Sequence, residues 1–243
     1  MTYDSKFQLD RETNIKNLKN NQALKKERDS FFQNLVDAKY SYNFDWMGVP
    51  IIQMPGELVV FQEIAYKLKP DVVIECGVAR GGSILFWASM LELFNKDGIV
   101  VGVDIEIKDH TKQAINESMF KDRINLIEGD STSISTLNKV KSFVQNDKKV
   151  MVIFDSNHTE EHVLNELELY SPLVSVDSYL IVLDTVIEKL RIEKDRPWGP
   201  GNSPMTAVQK FMRDKSNRYL QDFDLENKSF LTVAPNGFYK RVN

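Results

Sequence analysis

The sequence is poor in the residues that would commit it to several common chemistries. It holds one cysteine, Cys76, and three histidines. A lone thiol excludes an internal disulfide framework and a cysteine-built zinc cage, and it is compatible with a reducing compartment. Basic excess is also missing: 31 Lys and Arg stand against 35 Asp and Glu, a formal net charge of −4. Nucleic-acid binding needs clustered cations that displace counterions from phosphates, so this balance points instead to small molecules such as sugars. No apolar run approaches the roughly 18 to 20 residues that span a bilayer. The opening Met1-Thr2-Tyr3-Asp4-Ser5-Lys6 is polar, unlike a secretion signal. A cytoplasmic protein without membrane insertion is expected.

What is present reads as one large α/β domain with an extension, because 243 residues suffice for one sizeable core and are few for two. Residues 1–50 form the extension. Between Arg11 and Tyr40 apolar residues such as Ile15, Leu18, Phe32, Leu35 and Val36 recur at loose helical spacing, which predicts helices and suggests subunit contacts in a homo-oligomer. The aromatic stretch from Tyr42 to Pro50 contains turn formers and reads as a loop packed on the domain or roofing a site. Residues 51–243 form the main domain. Its apolar runs at 72–74, 99–103, 124–127, 150–154 and 179–183 are separated by helix-like intervals, the signature of a mostly parallel, doubly wound sheet. Near the C-terminus, Phe230 to Ala234 and Phe238 to Arg241 flank Pro235-Asn236-Gly237, predicting an antiparallel hairpin at the sheet's end.

The chemistry begins where the first strand runs into Glu75-Cys76-Gly77-Val78-Ala79-Arg80-Gly81-Gly82-Ser83. Glycines here permit positive φ and close approach of a ligand to the backbone. The spacing is not the Gly-x-Gly-x-x-Gly of a dinucleotide site, so a pyrophosphate is not indicated. The acidic-x-Gly-x-x-x-Gly form resembles the first motif of class I methyltransferases, whose cofactor S-adenosylmethionine carries no phosphate. Asp104 ends the next strand, where a carboxylate can accept hydrogen bonds from both hydroxyls of a ribose. Asp130 and Ser131, in Glu128-Gly129-Asp130-Ser131, follow the third strand, at the place where methyltransferases meet adenine; a plain helix-capping turn is the competing reading. Glu75, Gly77, Ala79, Arg80, Gly81, Ser83, Asp104, Asp130 and Ser131 are the candidate cofactor-binding residues.

Two further strands also end in acids, at Asp155 and Asp184. These two hard oxygen donors could converge on Mg2+, which would orient a substrate's hydroxyls and lower the pKa of one. His158, three residues past Asp155, suits a general base because imidazole titrates near neutrality. The alternatives are helix capping by Asp155 and a solvent-facing His158. His162 is read as structural. The run His158-Thr159-Glu160-Glu161-His162 also matches the His-x-x-Glu-His pattern of a zinc metallopeptidase. That reading would leave the glycine loop and the strand-end acids unexplained.

Taken together, the stretches Trp46-Met47-Gly48-Val49-Pro50, Glu75 to Ser83, Gly102-Val103-Asp104-Ile105, Glu128 to Ser131, Asp155-Ser156-Asn157-His158, Glu166 to Pro172, Asp184-Thr185, Pro204 to Val208 and Ala234 to Phe238 resemble the cephalosporin hydroxylase/rhamnosyl O-methyltransferase family over about Tyr42 to Arg241. The resemblance implies a Rossmann-like class I fold with a seven-stranded sheet and a SAM-dependent, often Mg2+-dependent, O-methyltransferase acting on a sugar or sugar-nucleotide acceptor. It assigns Asp155 and Asp184 as metal ligands and Asp155 with His158 to catalysis. One departure stands out: family members usually carry Glu immediately before the second aspartate, where this chain has Leu183, which cannot coordinate a hard cation. The metal site is then either thinner, with water or substrate filling the gap, or altered in preference; a non-catalytic SAM-binding scaffold is the alternative. The Pro- and Gly-rich segment between Arg191 and Pro204 is expected to act as a lid.

Overall fold

A computed structural model describes residues 4–145, 147–191 and 195–243. Two helices, α1 (Ser5–Asn20) and α2 (Gln22–Asp37), open the chain, with Asn21 between them accepting from the Leu24 N–H to cap the second. Helix α1 buries no side chain. α2 buries Phe32 against Met54 and Val186.

The stretch expected to be a loop is instead a small hairpin, β1 (Phe44–Trp46) paired antiparallel with β2 (Val49–Ile51). Its two-residue turn places Met47 at φ 53° and Gly48 at φ 82°, the positive pair that matches strand twist. Met in the first position is an unusual turn former, which hid the hairpin. The hairpin seats on α4 (Gly82–Phe94): Trp46 donates its indole N–H to Ser89 and meets the Phe86 ring edge-on. A Cβ on Gly82 would lie 2.3 Å from the Pro50 carbonyl oxygen, so only glycine lets strand and helix approach this closely.

Helix α3 (Pro55–Leu68) begins with Pro at its first turn and leads to β3 (Val72–Cys76), every residue of which is buried. The remaining elements alternate: β4 (Ile99–Asp104), α5 (Asp109–Glu117), β5 (Ile124–Glu128), α6 (Ile134–Lys141), β6 (Val150–Phe154), α7 (Glu160–Tyr170), β7 (Tyr179–Val182), α8 (Pro204–Met212), β8 (Tyr219–Gln221), α9 (Phe223–Ser229) and β9 (Phe238–Arg241). The seven strands lie in the order β5-β4-β3-β6-β7-β9-β8, parallel except for the pairings of β9 with β7 and β8. All five expected parallel strands are present. Their unbroken apolar runs reflect burial on both faces. Side chains alternate along β3: Val73 joins α3 and α4 in one core layer, while Val72, Ile74 and Cys76 join α6, α7 and α8 in the other.

The C-terminal antiparallel end forms, but with a different partner. Strand β9 pairs with β8, and residues 230–234 form no strand, because their polar backbone is taken elsewhere. Val233 N–H donates to Glu57, and the Val233 carbonyl accepts from Val186. Among the described residues no helix is long and apolar enough to cross a membrane.

Candidate active site

The parallel strands deliver their C-terminal ends to one edge of the sheet, where open α/β folds bind ligands. The glycine loop leaves β3 at the centre of that edge. Gly77 has φ 102°, and a Cβ there would fall 2.0 Å from the Asp155 carbonyl oxygen. Its missing side chain therefore lets the end of β6, and with it Asp155, run beside the loop. Ala79 at φ 44° and Gly81 at φ 91° complete the turn and expose Ala79 and Arg80. The N–H groups of Val78 and Ala79 donate to one carboxylate oxygen of Asp104 at 2.9 and 3.0 Å. Among the described residues the other oxygen meets only the Glu106 N–H, at 3.3 Å. Asp104 thus braces the loop with one oxygen and leaves the second with a longer contact.

Other candidates for the cofactor are placed less directly. Glu75 is buried and bonded to Ser83 and Trp87 of α4; burial lifts its carboxyl to about 7, opposed by those two hydrogen bonds. Glu75 and Ser83 tie strand to helix behind the loop. Arg80 lies at the surface, 3.0 Å from His110. Asp130 is exposed and accepts from the N–H and hydroxyl of Thr132, which hold its pKa below the ordinary value. Ser131 is buried and donates to Glu166 at 2.6 Å. Glu166, entirely enclosed, also accepts from Ser156 at 2.7 Å and stands 3.3 Å from His162. Burial disfavours charge on His162, but Glu166 outweighs it and raises the imidazole pKa. This buried network was not expected from sequence. The only hint was the four-residue spacing of His162 and Glu166 on one helix.

Asp155, Asp184 and His158 come together. Desolvation first, and the neighbouring Asp184 second, push the Asp155 carboxyl well above the ordinary carboxylate range. Asp184 sits at φ 54°, the left-handed bend ending β7, and its Oδ2 is 3.4 Å from His158 Nε2. The Trp198 ring meets His158 edge-on at 4.8 Å between centroids. Gln53, not foreseen, donates from Nε2 to Asp155 Oδ2 at 3.1 Å. A cleft of about 340 Å³ runs over Gln53, Asp155, His158, Asp184 and Trp198, walled on one side by Phe32 and Val36 of α2.

A desolvated carboxylate, Asp155, beside the part-exposed carboxylate of Asp184 is a donor set suited to a hard divalent cation. The zinc-peptidase geometry does not form. His158 precedes the α7 N-cap, Thr159, and faces Asp184, while His162 lies within α7 and faces Ser131 and Glu166. Residues 192–194 of the expected lid lie outside the described residues. The rest of that segment lines the cleft and is anchored: Gly201 N–H and the Ser203 hydroxyl donate to Glu188, and Asn202 accepts from the Glu160 N–H.

The strand order, the glycine loop beside β3 and the acid ending β4 define a class I methyltransferase fold. Residues 38–242 match the family described as rhamnosyl O-methyltransferase/CmcI, and the chain belongs to that family. The rhamnosyl O-methyltransferase of Mycobacterium tuberculosis is 31% identical over 213 residues, covering 87% of this chain and 82% of the relative. That of Mycobacterium leprae is 30% identical over 200 residues, covering 81% and 82%. Among solved structures, an apo form of CmcI superposes with a TM-score of 0.64 at 18% identity, covering 83% of this chain and 77% of that one. MycE methyltransferase, solved with Mg, SAH and mycinamycin VI, gives 0.53 at 18% identity, covering 87% and 54%.

Proposed function

We propose that the chain transfers the methyl group of S-adenosylmethionine to a sugar hydroxyl, with Mg2+ held by Asp155 and Asp184 and His158 as general base. The observation that carries this reading is the meeting of those three residues at adjacent strand ends, directly beside the Gly77 loop. Membership of a family with rhamnosyl O-methyltransferases as relatives supports the sugar acceptor.

Bound Mg2+ would supply Lewis acidity to the acceptor hydroxyl, and bound S-adenosylmethionine the electrophilic methyl. The protein's part is positional. Backbone around Ala79 and Oδ1 of Asp104 hold the cofactor, with Asp130 and Ser131 at the adenine end. Asp184, 3.4 Å from Nε2, favours the tautomer with its proton on that nitrogen and a lone pair on Nδ1, the state needed to take the acceptor's proton as its oxygen bonds carbon and the C–S bond breaks. Asp184 then stabilises the imidazolium. Trp198 and the anchored segment behind it shield the cleft from water that would compete for the methyl group.

A labelled-cofactor assay over rhamnosides and sugar nucleotides, with and without chelator, is expected to show methylation that stops on metal removal. Absence of S-adenosylmethionine binding in calorimetry would overturn the reading. We place the reaction in the cytoplasm and the chain in a homo-oligomer, an arrangement supported by exposed Phe7, Leu9 and Phe31 on α1 and α2. Sedimentation at micromolar concentration tests it, and a monomer would refute it.

A further inference from the structure

The proposed cation has two protein carboxylates in this chain, because Leu183 stands where the family usually has glutamate. Leu183 is 3% exposed and packed in the apolar layer with α3 and α4, so that position contributes only to the core. We infer that the side-chain amide of Gln53 supplies the third protein oxygen to a divalent cation at Asp155 and Asp184. This rests on the metal reading above.

Gln53 is 3% exposed, and its side chain has an unusual hydrogen-bond account. Nε2 donates to Asp155, whereas Oε1 is buried without a hydrogen-bond partner among the described residues. Among the described residues the amide is thus held in this orientation by its bond to Asp155 alone, and no second hydrogen bond opposes a turn. A half-turn about the last side-chain torsion exchanges Oε1 for Nε2 at nearly the same position, since the two ends of a carboxamide have the same shape. With Nε2 toward Asp155, the amide donates a hydrogen bond that stabilises the carboxylate. With Oε1 there, the pair becomes two oxygens facing one point. Magnesium–oxygen distances of about 2.1 Å at right angles set neighbouring ligand oxygens about 3 Å apart. The separation between the Gln53 amide and Asp155 is 3.1 Å.

Glu75 and Glu57 are the other acids close enough to influence Asp155, but neither lines the cleft, and Glu57 Oε1 already accepts from Thr232 and Val233. Gln53 does line it, and cannot easily leave. Buried Ile51 and Met54 flank its backbone, and the close approach of Pro50 to Gly82 pins the strand leading to it. An amide in place of a third carboxylate makes the loaded site neutral, two negative charges against two positive. Binding should be weaker than at a three-carboxylate site and more easily reversed.

The test is electron paramagnetic resonance of Mn2+ bound to the full-length protein with S-adenosylhomocysteine in 17O-enriched water, counting the water ligands. Gln53→Met, close in shape and lacking the oxygen, is expected to gain one bound water and weaken Mn2+ affinity at least about tenfold. Gln53→Glu is expected to keep the wild-type water count and bind more tightly, and it secures the test if the methionine variant folds poorly. A water count and affinity unchanged in Gln53→Met would overturn the inference and leave the metal reading standing. An extra water in Gln53→Glu would likewise overturn it. Failure of wild-type protein to bind Mn2+ would overturn both.

Discussion

Replacing Gly77 with alanine tests the joint on which the whole site is built. The added Cβ would lie 2.0 Å from the Asp155 carbonyl oxygen and 2.5 Å from its carbon, both backbone atoms that cannot rotate away. The φ of 102° adds a conformational penalty of about 1–2 kcal/mol for a residue with a side chain. Forcing strand β6 aside should cost about 1–3 kcal/mol more. At about 2–4 °C per kcal/mol for a chain of this size, the melting temperature should fall by roughly 10 °C. Gly48→Ala is the matched control. It carries a φ of 82° with no atom within 4 Å of the built Cβ, so it isolates the backbone penalty. Calorimetric melting of both variants in parallel should show Gly77→Ala several degrees the lower of the two, with Mn2+ binding impaired because Asp155 has moved. Equal melting temperatures would refute the claim that the Asp155 backbone excludes a side chain from position 77.

Three further outcomes are expected. Glu57 is enclosed, and burial raises its carboxyl from 4.5 to about 7 in the folded protein. The folded state therefore binds this proton more tightly, and the resulting stability, about 3 kcal/mol, is complete below pH 4.5 and lost as pH rises through 7. Glu57→Gln should melt above wild type at pH 8 and level with it at pH 5; an equal advantage at both pH values contradicts this. His158→Ala should lower kcat by about 10²–10⁴-fold while leaving S-adenosylmethionine affinity in calorimetry unchanged; a variant of undiminished kcat removes His158 as base. Asp104→Ala releases the Val78 and Ala79 N–H groups and should weaken cofactor binding by at least about tenfold, whereas wild-type affinity would show that the loop needs no such brace.

The parallel strands were legible because residues buried on both faces must be apolar throughout, as in β3 and β6, and because Gly and strand-end acids punctuate them. The same logic placed Asp104, Asp155 and Asp184 at one edge, and the family resemblance assigned them roles. Elements whose form depends on distant partners were not legible. The β1–β2 hairpin needs the platform of α4, and its Met47-Gly48 turn lacks the usual Asn-Gly signal. Residues 230–234 look like a strand by composition, yet Glu57, 176 positions away from Val233, takes the N–H that a ladder would need. Gln53 is a single polar residue among apolar ones with no period to mark it, and Glu166 sits among Asn165, Leu167 and Glu168 with nothing to single it out as the centre of a buried network beyond its spacing from His162. Only the fold shows that one meets Asp155 and the other gathers Ser131, Ser156 and His162.

Cys76 closes the central strand with its side chain completely enclosed, and burial pushes its thiol well above the ordinary range. Alkylating reagents attack the thiolate, so this sulfur is doubly protected while the sheet is intact. Being the chain's sole thiol, it gives a labelling signal without background. The rate at which a maleimide reacts with native protein therefore records how often β3 parts from its neighbours, and a ligand that binds the folded site should slow that clock in proportion to its occupancy.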